Sequence, residues 1–170
     1  MKLNLCTGYV MRLICLLLAL MLPMVAHAQQ PAAPSSPAIT LPAAMSAAEA
    51  HSAANAGKVV LIDIRSDDEW RQSGVPASAY AISMHQSQPA FLKELAAATK
   101  GDKATPIALV CATGSRSAFL AGWLKRNGYT VVIDVREGVE GGRYGKGWVK
   151  AGLPIRRWQA GSVTPVAAAR

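Results

Sequence analysis

Apolar residues follow two rhythms along this chain. Lys58 to Ile64 (KVVLIDI) is a near-continuous β-branched run, which predicts a buried, parallel strand. Pro106 to Val110 and Thr130 to Val135 predict further strands, and Tyr80 to Ser83 a short one. Between these runs the spacing turns helical. Phe91, Leu92, Leu95 and Ala96 recur at helical intervals across 89–99, and Phe119, Leu120, Trp123 and Leu124 share one face of a helix over 117–127. Ser46 and Glu49 form a capping box that opens a helix over 47–55, with Gly57 behind it. Asp67, Asp68 and Glu69 place three acids on the first turn of a short helix through Gln72. Residues 74–78 read as a turn, 138–147 as a glycine-rich loop, and 147–152 as one last helical turn. Gly128 supplies the left-handed cap after Asn127. Strand and helix alternate throughout, which predicts a single-domain α/β fold with a mainly parallel central sheet flanked by helices. In such sheets ligands bind at the carboxyl ends of the strands.

The ends of the chain read differently. Residues 1–28 carry Lys2 and Arg12, an apolar run from Leu13 to Ala26 and a small-x-small site at 26–28, the pattern of an export signal. The expected location is therefore periplasmic or secreted, with an uncleaved N-terminal anchor as the alternative. Residues 29–45 are rich in Pro, Ala and Ser and read as a linker. The folded domain is expected over 46–158, with 159–170 a flexible tail.

Without residues 1–28 the chain loses two of its 18 Lys and Arg and none of its 10 Asp and Glu, leaving a net charge of +6. That balance favours small anionic substrates or an acidic partner surface. The basic residues are scattered without aromatic interleaving, so nucleic acid is not expected as a partner. No membrane partner is expected unless the leader persists. Arg156-Arg157-Trp158 reads as a solvated strand or tail, with a docking patch as the less favoured alternative. Two of the three cysteines, Cys6 and Cys15, lie in the leader, so the exported form keeps Cys111 alone. No intramolecular disulfide can form, and a lone thiol in an oxidising compartment is either buried and inert or employed. His51, His85 and Cys111 show no paired ligand spacing, so no metal is expected. The glycine-rich loop lacks the arrangement of a phosphate-binding motif, and no cofactor is implied.

Cys111 opens the stretch CATGSRS, directly after the strand 106–110 and before a helix. In that position the backbone amides of 112–117 can turn toward the sulfur, and the following helix adds its dipole and unpaired amides. Gly114 permits the turn, and Arg116 adds a fixed positive charge. Together they favour a thiolate, which is the nucleophilic form, and the same amides would hold a second atom bound to that sulfur.

CATGSRS resembles the active-site loop Cys-x-x-Gly-x-Arg-Ser of the rhodanese family. The resemblance extends to Leu61-Ile62-Asp63-Ile64-Arg65, Glu69-Trp70 and Gly74-Val75-Pro76, and to the closing stretch from Asn127 through Gly141-Gly142 and Trp148 to Pro154. It implies a sulfurtransferase in which Cys111 takes a sulfur from a donor such as thiosulfate, becomes a persulfide, and yields it to cyanide or a thiol. It further implies a loop of Ala112, Thr113, Gly114, Ser115, Arg116 and Ser117 around the substrate, with Arg116 holding the anionic donor, and Asp63 and Arg65 near the site. For those two a structural ion pair is the competing reading. Many members carry a cation directly after the cysteine; Ala112 stands there in this chain, which weakens the expectation of thiosulfate capture.

Two rivals stay open on the sequence alone. Cysteine phosphatases place five residues between Cys and Arg; this loop has four, a smaller cradle, and Asp134 or Glu137 can act as its acid only if the fold brings them close. A sulfur carrier serving a specific protein acceptor, or a binding module without turnover, uses the same loop.

Overall fold

The computed structural model describes residues 41–164. The export-signal reading, most of the linker, and the tail from 165 fall outside them. Among the described residues no helix is long and apolar enough to cross a membrane.

The chain alternates strand and helix: β1 (Ala44–Met45), α1 (Ala47–Asn55), β2 (Val60–Asp63), α2 (Asp67–Ser73), β3 (Val75–Pro76), β4 (Tyr80–Ala81), α3 (Gln88–Ala98), β5 (Ile107–Val110), α4 (Ser115–Arg126), β6 (Val132–Val135), α5 (Gly147–Lys150) and β7 (Ile155–Arg156). Five strands form one sheet in the order β1-β6-β5-β2-β4, every neighbouring pair parallel. β3 and β7 pair antiparallel beside it.

Each central strand buries both faces, and the period of two sorts its side chains between two layers. Leu61, Ala108, Val110, Ile133 and Val135 meet α1, Trp70 and Trp148. Ile62, Ile107, Leu109 and Val132 meet Phe91 and Leu95 of α3 and Leu120 and Leu124 of α4. Full burial of each such aliphatic side chain contributes ~1.5–3 kcal/mol. Cys111 continues the parity of Ile107 and Leu109, so its side chain enters the α3/α4 layer.

Both α1 and α2 start on complete capping boxes, Ser46 with Glu49 and Ser66 with Glu69. α4 has no side-chain cap; its N-cap is Gly114, with φ 94°. It begins at Ser115, two residues before the sequence pattern placed it, which puts Arg116 and Ser117 on its first turn.

Both ends of the expected domain need correction. Ala44 and Met45 are not linker: they pair with Asp134 and Val135, and Met45 is buried. Nor is 159–164 wholly free, because the Ala81 N–H donates to the Val163 carbonyl at 2.9 Å. Residues 75–76, read as turn, form β3. Arg156 is buried, its Nη2 donating to the Ala79 carbonyl at 3.2 Å, and Trp158 packs against Trp70 at 5.5 Å between ring centroids. That segment closes the domain rather than forming a free basic patch.

Candidate functional site

Strand β5 ends at Val110, and the next residue is Cys111, which has no solvent exposure. Among the described residues, Arg116 interacts with its sulfur, and two further groups lie against it. The Gly114 N–H donates to Sγ at 3.2 Å, and Ser117 Oγ lies 3.5 Å away. The amide contact depends on the left-handed conformation of Gly114. A Cβ there would fall inside the carbonyl oxygen of Arg136, so only glycine lets the loop lie flat against the β6 end. The opposing loop is fitted the same way: Gly138 (φ 70°) lies where a Cβ would strike the Ala112 carbonyl. Val139 N–H and Glu140 N–H then donate to the Cys111 and Ala112 carbonyls at 2.8 and 2.9 Å. The loop from Cys111 to Ser117 is thereby held by residues 138–140, not only by its own helix.

Of the amides expected to face the sulfur, Gly114 makes the bond. The first intrahelical bond of α4 runs from Ala118 N–H to the Gly114 carbonyl, which leaves the amides of Ser115, Arg116 and Ser117 outside the helical ladder at the positive end of the dipole.

Arg116 is not a free cation. Its Nη2 and Nη1 donate to Glu69 Oε1 and Oε2 at 2.5 and 2.9 Å, and Nη1 also reaches His85 Nε2 at 3.1 Å. Glu69 Oε2 additionally accepts from Ser66 N–H. The Arg116 bonds come first in holding the Glu69 carboxyl down to about 2. Glu69 in turn raises the Arg116 guanidinium above its ordinary value, with Cys111 adding to the effect. The sequence reading missed Glu69 and His85 as members of this site. The acidic first turn of α2 was visible, but nothing local showed that Glu69 faces a residue 47 positions later.

Asp63 and Arg65 are brought together, but away from the sulfur. Arg65 Nη2 and Nε bind Asp63 at 2.7 and 3.0 Å, and the two Nη groups also bind Ser73 Oγ and the Gly74 carbonyl, each at 2.7 Å. Asp63 shares the parity of Leu61, on the face opposite Cys111. The pair locks β2 to the end of α2, and the expectation that it borders the site is corrected.

Asp134 is brought into the site. Ser117 Oγ lies 2.7 Å from Asp134 Oδ1 and 3.0 Å from the Gly114 carbonyl. Burial raises the Asp134 carboxyl, offset in part by Ser117 and Arg136. Beside the Arg116–Glu69 pair a groove of about 510 Å³ opens, lined by Ser66, Asp67, His85, Glu94 and Trp158 among others. Among the described residues no group of three or more His, Cys, Asp or Glu is arranged to hold a metal ion.

A family model described as the rhodanese-like domain matches residues 46–143. The chain belongs to the rhodanese-like domain family. This rhodanese-like domain is 28% identical over 103 residues to uncharacterized protein RP600 of Rickettsia prowazekii, an alignment covering 58% of this chain and 81% of that protein. The crystal structure of Rv0390 from M. tuberculosis superposes with a TM-score of 0.51 at 26% identity, covering 70% of this chain and all of that one. The solution structure of the rhodanese-like domain of the Anabaena sp. protein Alr3790 has a TM-score of 0.53 at 17% identity, over 76% and 89% of the two chains, and shows the shared fold. Membership of the rhodanese-like family supports a sulfur-transfer role.

Proposed function

We propose that this rhodanese-like protein is a sulfurtransferase that works through a persulfide on Cys111. The observation that carries the reading is a strand-end thiol bonded by the amide of a left-handed glycine and seated at a helix N-terminus, with an arginine one turn on. In the first half-reaction Sγ, as thiolate, attacks the outer sulfur of an anionic donor such as thiosulfate. The new S–S bond forms as the donor's own S–S bond breaks, and sulfite leaves with that electron pair. In the second, cyanide or a thiolate attacks the outer sulfur, and Cys111 leaves as thiolate. The amides at the start of α4 are available to a sulfur attached to Sγ. Arg116 supplies positive charge at the rim while Glu69 fixes its position. The leader-like residues 1–28 support placing this chemistry in the periplasm or outside the cell.

A second reading, a carrier serving a protein acceptor, uses the same enclosed thiol: Cys111 has no exposed surface, so any donor or acceptor must thread its sulfur into the loop.

The test is the intact mass of the protein after incubation with thiosulfate and then cyanide, beside Cys111→Ser. Gain of one sulfur by the wild type alone, removed by cyanide as thiocyanate, is the expected result. No gain from thiosulfate, with gain from a protein persulfide, assigns the carrier. No gain from any sulfane donor overturns both.

A further inference from the structure

The Cys111 thiol is fully enclosed, so its proton cannot pass straight to water. The Gly114 N–H and the Arg116 guanidinium, which interact with the sulfur, are donors and cannot take a proton. The group beside it that can is Ser117 Oγ, at 3.5 Å. That hydroxyl is itself only 2.7 Å from Asp134 Oδ1. Asp134 stands on β6 in register with Leu109 of β5, one strand across from the sulfur, and is only partly buried.

We propose that Ser117 and Asp134 form the proton exit of the site, with Asp134 a positioning residue that acts on the nucleophile through Ser117. The inference rests on Cys111 being the nucleophile. Sγ–H gives its proton to Ser117 Oγ as the Ser117 hydroxyl proton moves to Asp134 Oδ1. The products are a thiolate, an unchanged serine and a carboxylic acid, with no other reactant. Asp134 then loses its proton to solvent, and because the second half-reaction releases Cys111 as thiolate, no proton has to return along the path.

The surroundings suit this use. Arg136, directly after β6, is the cation acting on Asp134, and the start of α4 presents Ser117 and the Gly114 carbonyl. On its other side β1 contributes the uncharged Ala44. Arg116, the other cation of the site, is paired with Glu69 and also faces the Cys111 sulfur, where it favours the thiolate without accepting its proton. Burial holds the carboxyl above its ordinary value and so makes it a better base for a thiol.

The relay and simple electrostatics predict opposite signs. A carboxylate near a thiolate repels it, so charge alone predicts that Asp134→Ala makes Cys111 more reactive. The relay predicts that it becomes less so. The experiment is the rate of Cys111 alkylation by iodoacetamide from pH 5 to 9, located by peptide mass mapping in the full chain. Wild type, Asp134→Ala, Ser117→Ala and the double variant are compared, with thermal unfolding as the folding control.

Expected is a loss on the order of 10²-fold near neutral pH in either single variant, a profile moved to higher pH, and a double variant no slower than the singles. Faster or unchanged alkylation in Ser117→Ala overturns the proposal. That variant removes one oxygen and keeps the test available should Asp134→Ala weaken the sheet. Alkylation needs no sulfur donor, so the relay can stand or fall apart from the sulfurtransferase reading.

Discussion

Two arginine–carboxylate pairs stand beside the carboxyl end of the sheet and do opposite work. Arg65 and Asp63 have no exposed side-chain surface, and the guanidinium is consumed by Asp63, Ser73 and Gly74. Arg116 and Glu69 keep 29% and 23% of their side-chain surface in solvent, and the arginine touches an exposed histidine. The first pair is a joint inside the fold. The second is an electrostatic setting that solvent can reach. Burial, not the identity of the residues, separates an architectural ion pair from one in a functional site. Burial makes the first pair intolerant of losing one partner and leaves the second adjustable.

The largest expected effect comes from breaking the buried pair. Asp63→Ala strands an uncompensated guanidinium and should cost about 3–5 kcal/mol in urea unfolding. A cost below about 1 kcal/mol would remove the distinction between the pairs. Gly114→Ala comes next. It forces a side chain into a left-handed φ, at about 1–2 kcal/mol, and against the Arg136 carbonyl. Because the loop must move, persulfide formation should fall far more than stability does, as read by the mass assay beside a melting curve. Equal losses in both would show that the loop is merely structural.

Glu69 gives a smaller effect with a defined pH window. Its folded-state pKa, about 2, lies below the ordinary 4.5, so the pair's stabilisation is present above 4.5 and is lost as pH falls toward 2. Asp134 titrates with the opposite sign: its raised folded-state pKa favours the fold as pH falls. Glu69→Gln should flatten the acid-side loss by about 1 kcal/mol or less, the scale of a partly exposed pair. The same variant should lower the KM for an anionic donor, because Arg116 loses its counter-charge; a raised KM would mean that Glu69 serves by positioning. The smallest effect belongs to Arg71, exposed and shared between Asp68 and the Trp158 ring. Arg71→Ala should shift stability by under ~1 kcal/mol, and a larger loss would make the Trp158 closure a principal support.

Much of this was legible in the chain. KVVLIDI and the run before Cys111 are buried on both faces, so period and composition agreed, and the strand-loop-helix placement of CATGSRS followed from them. What stayed hidden has physical reasons. Ala44–Met45 is too short to show a period, and its strand character comes from pairing with β6, 90 positions away. α4 begins early because a left-handed Gly114 serves as its N-cap, whereas the apolar pattern starts only at Phe119. Asp63 and Arg65 were weighed as site residues through the family resemblance, beside the reading of a structural ion pair; the parity of side chains sends them to the other layer. Asp134 and Ser117 meet only across the β6–α4 packing, where no sequence interval records the distance.

Both margins of the sheet are two-residue strands, β1 and β4. At one of them the Ala81 amide, which faces away from the sheet, is already taken by the Val163 carbonyl. A long bare margin is a template on which another polypeptide can continue the ladder. This sheet ends before such a template is long enough to grow on. Short margins therefore act as insurance against self-association in a protein whose interior strands are otherwise almost uninterrupted hydrocarbon, and a chain cut at residue 158 would give up that protection at β4.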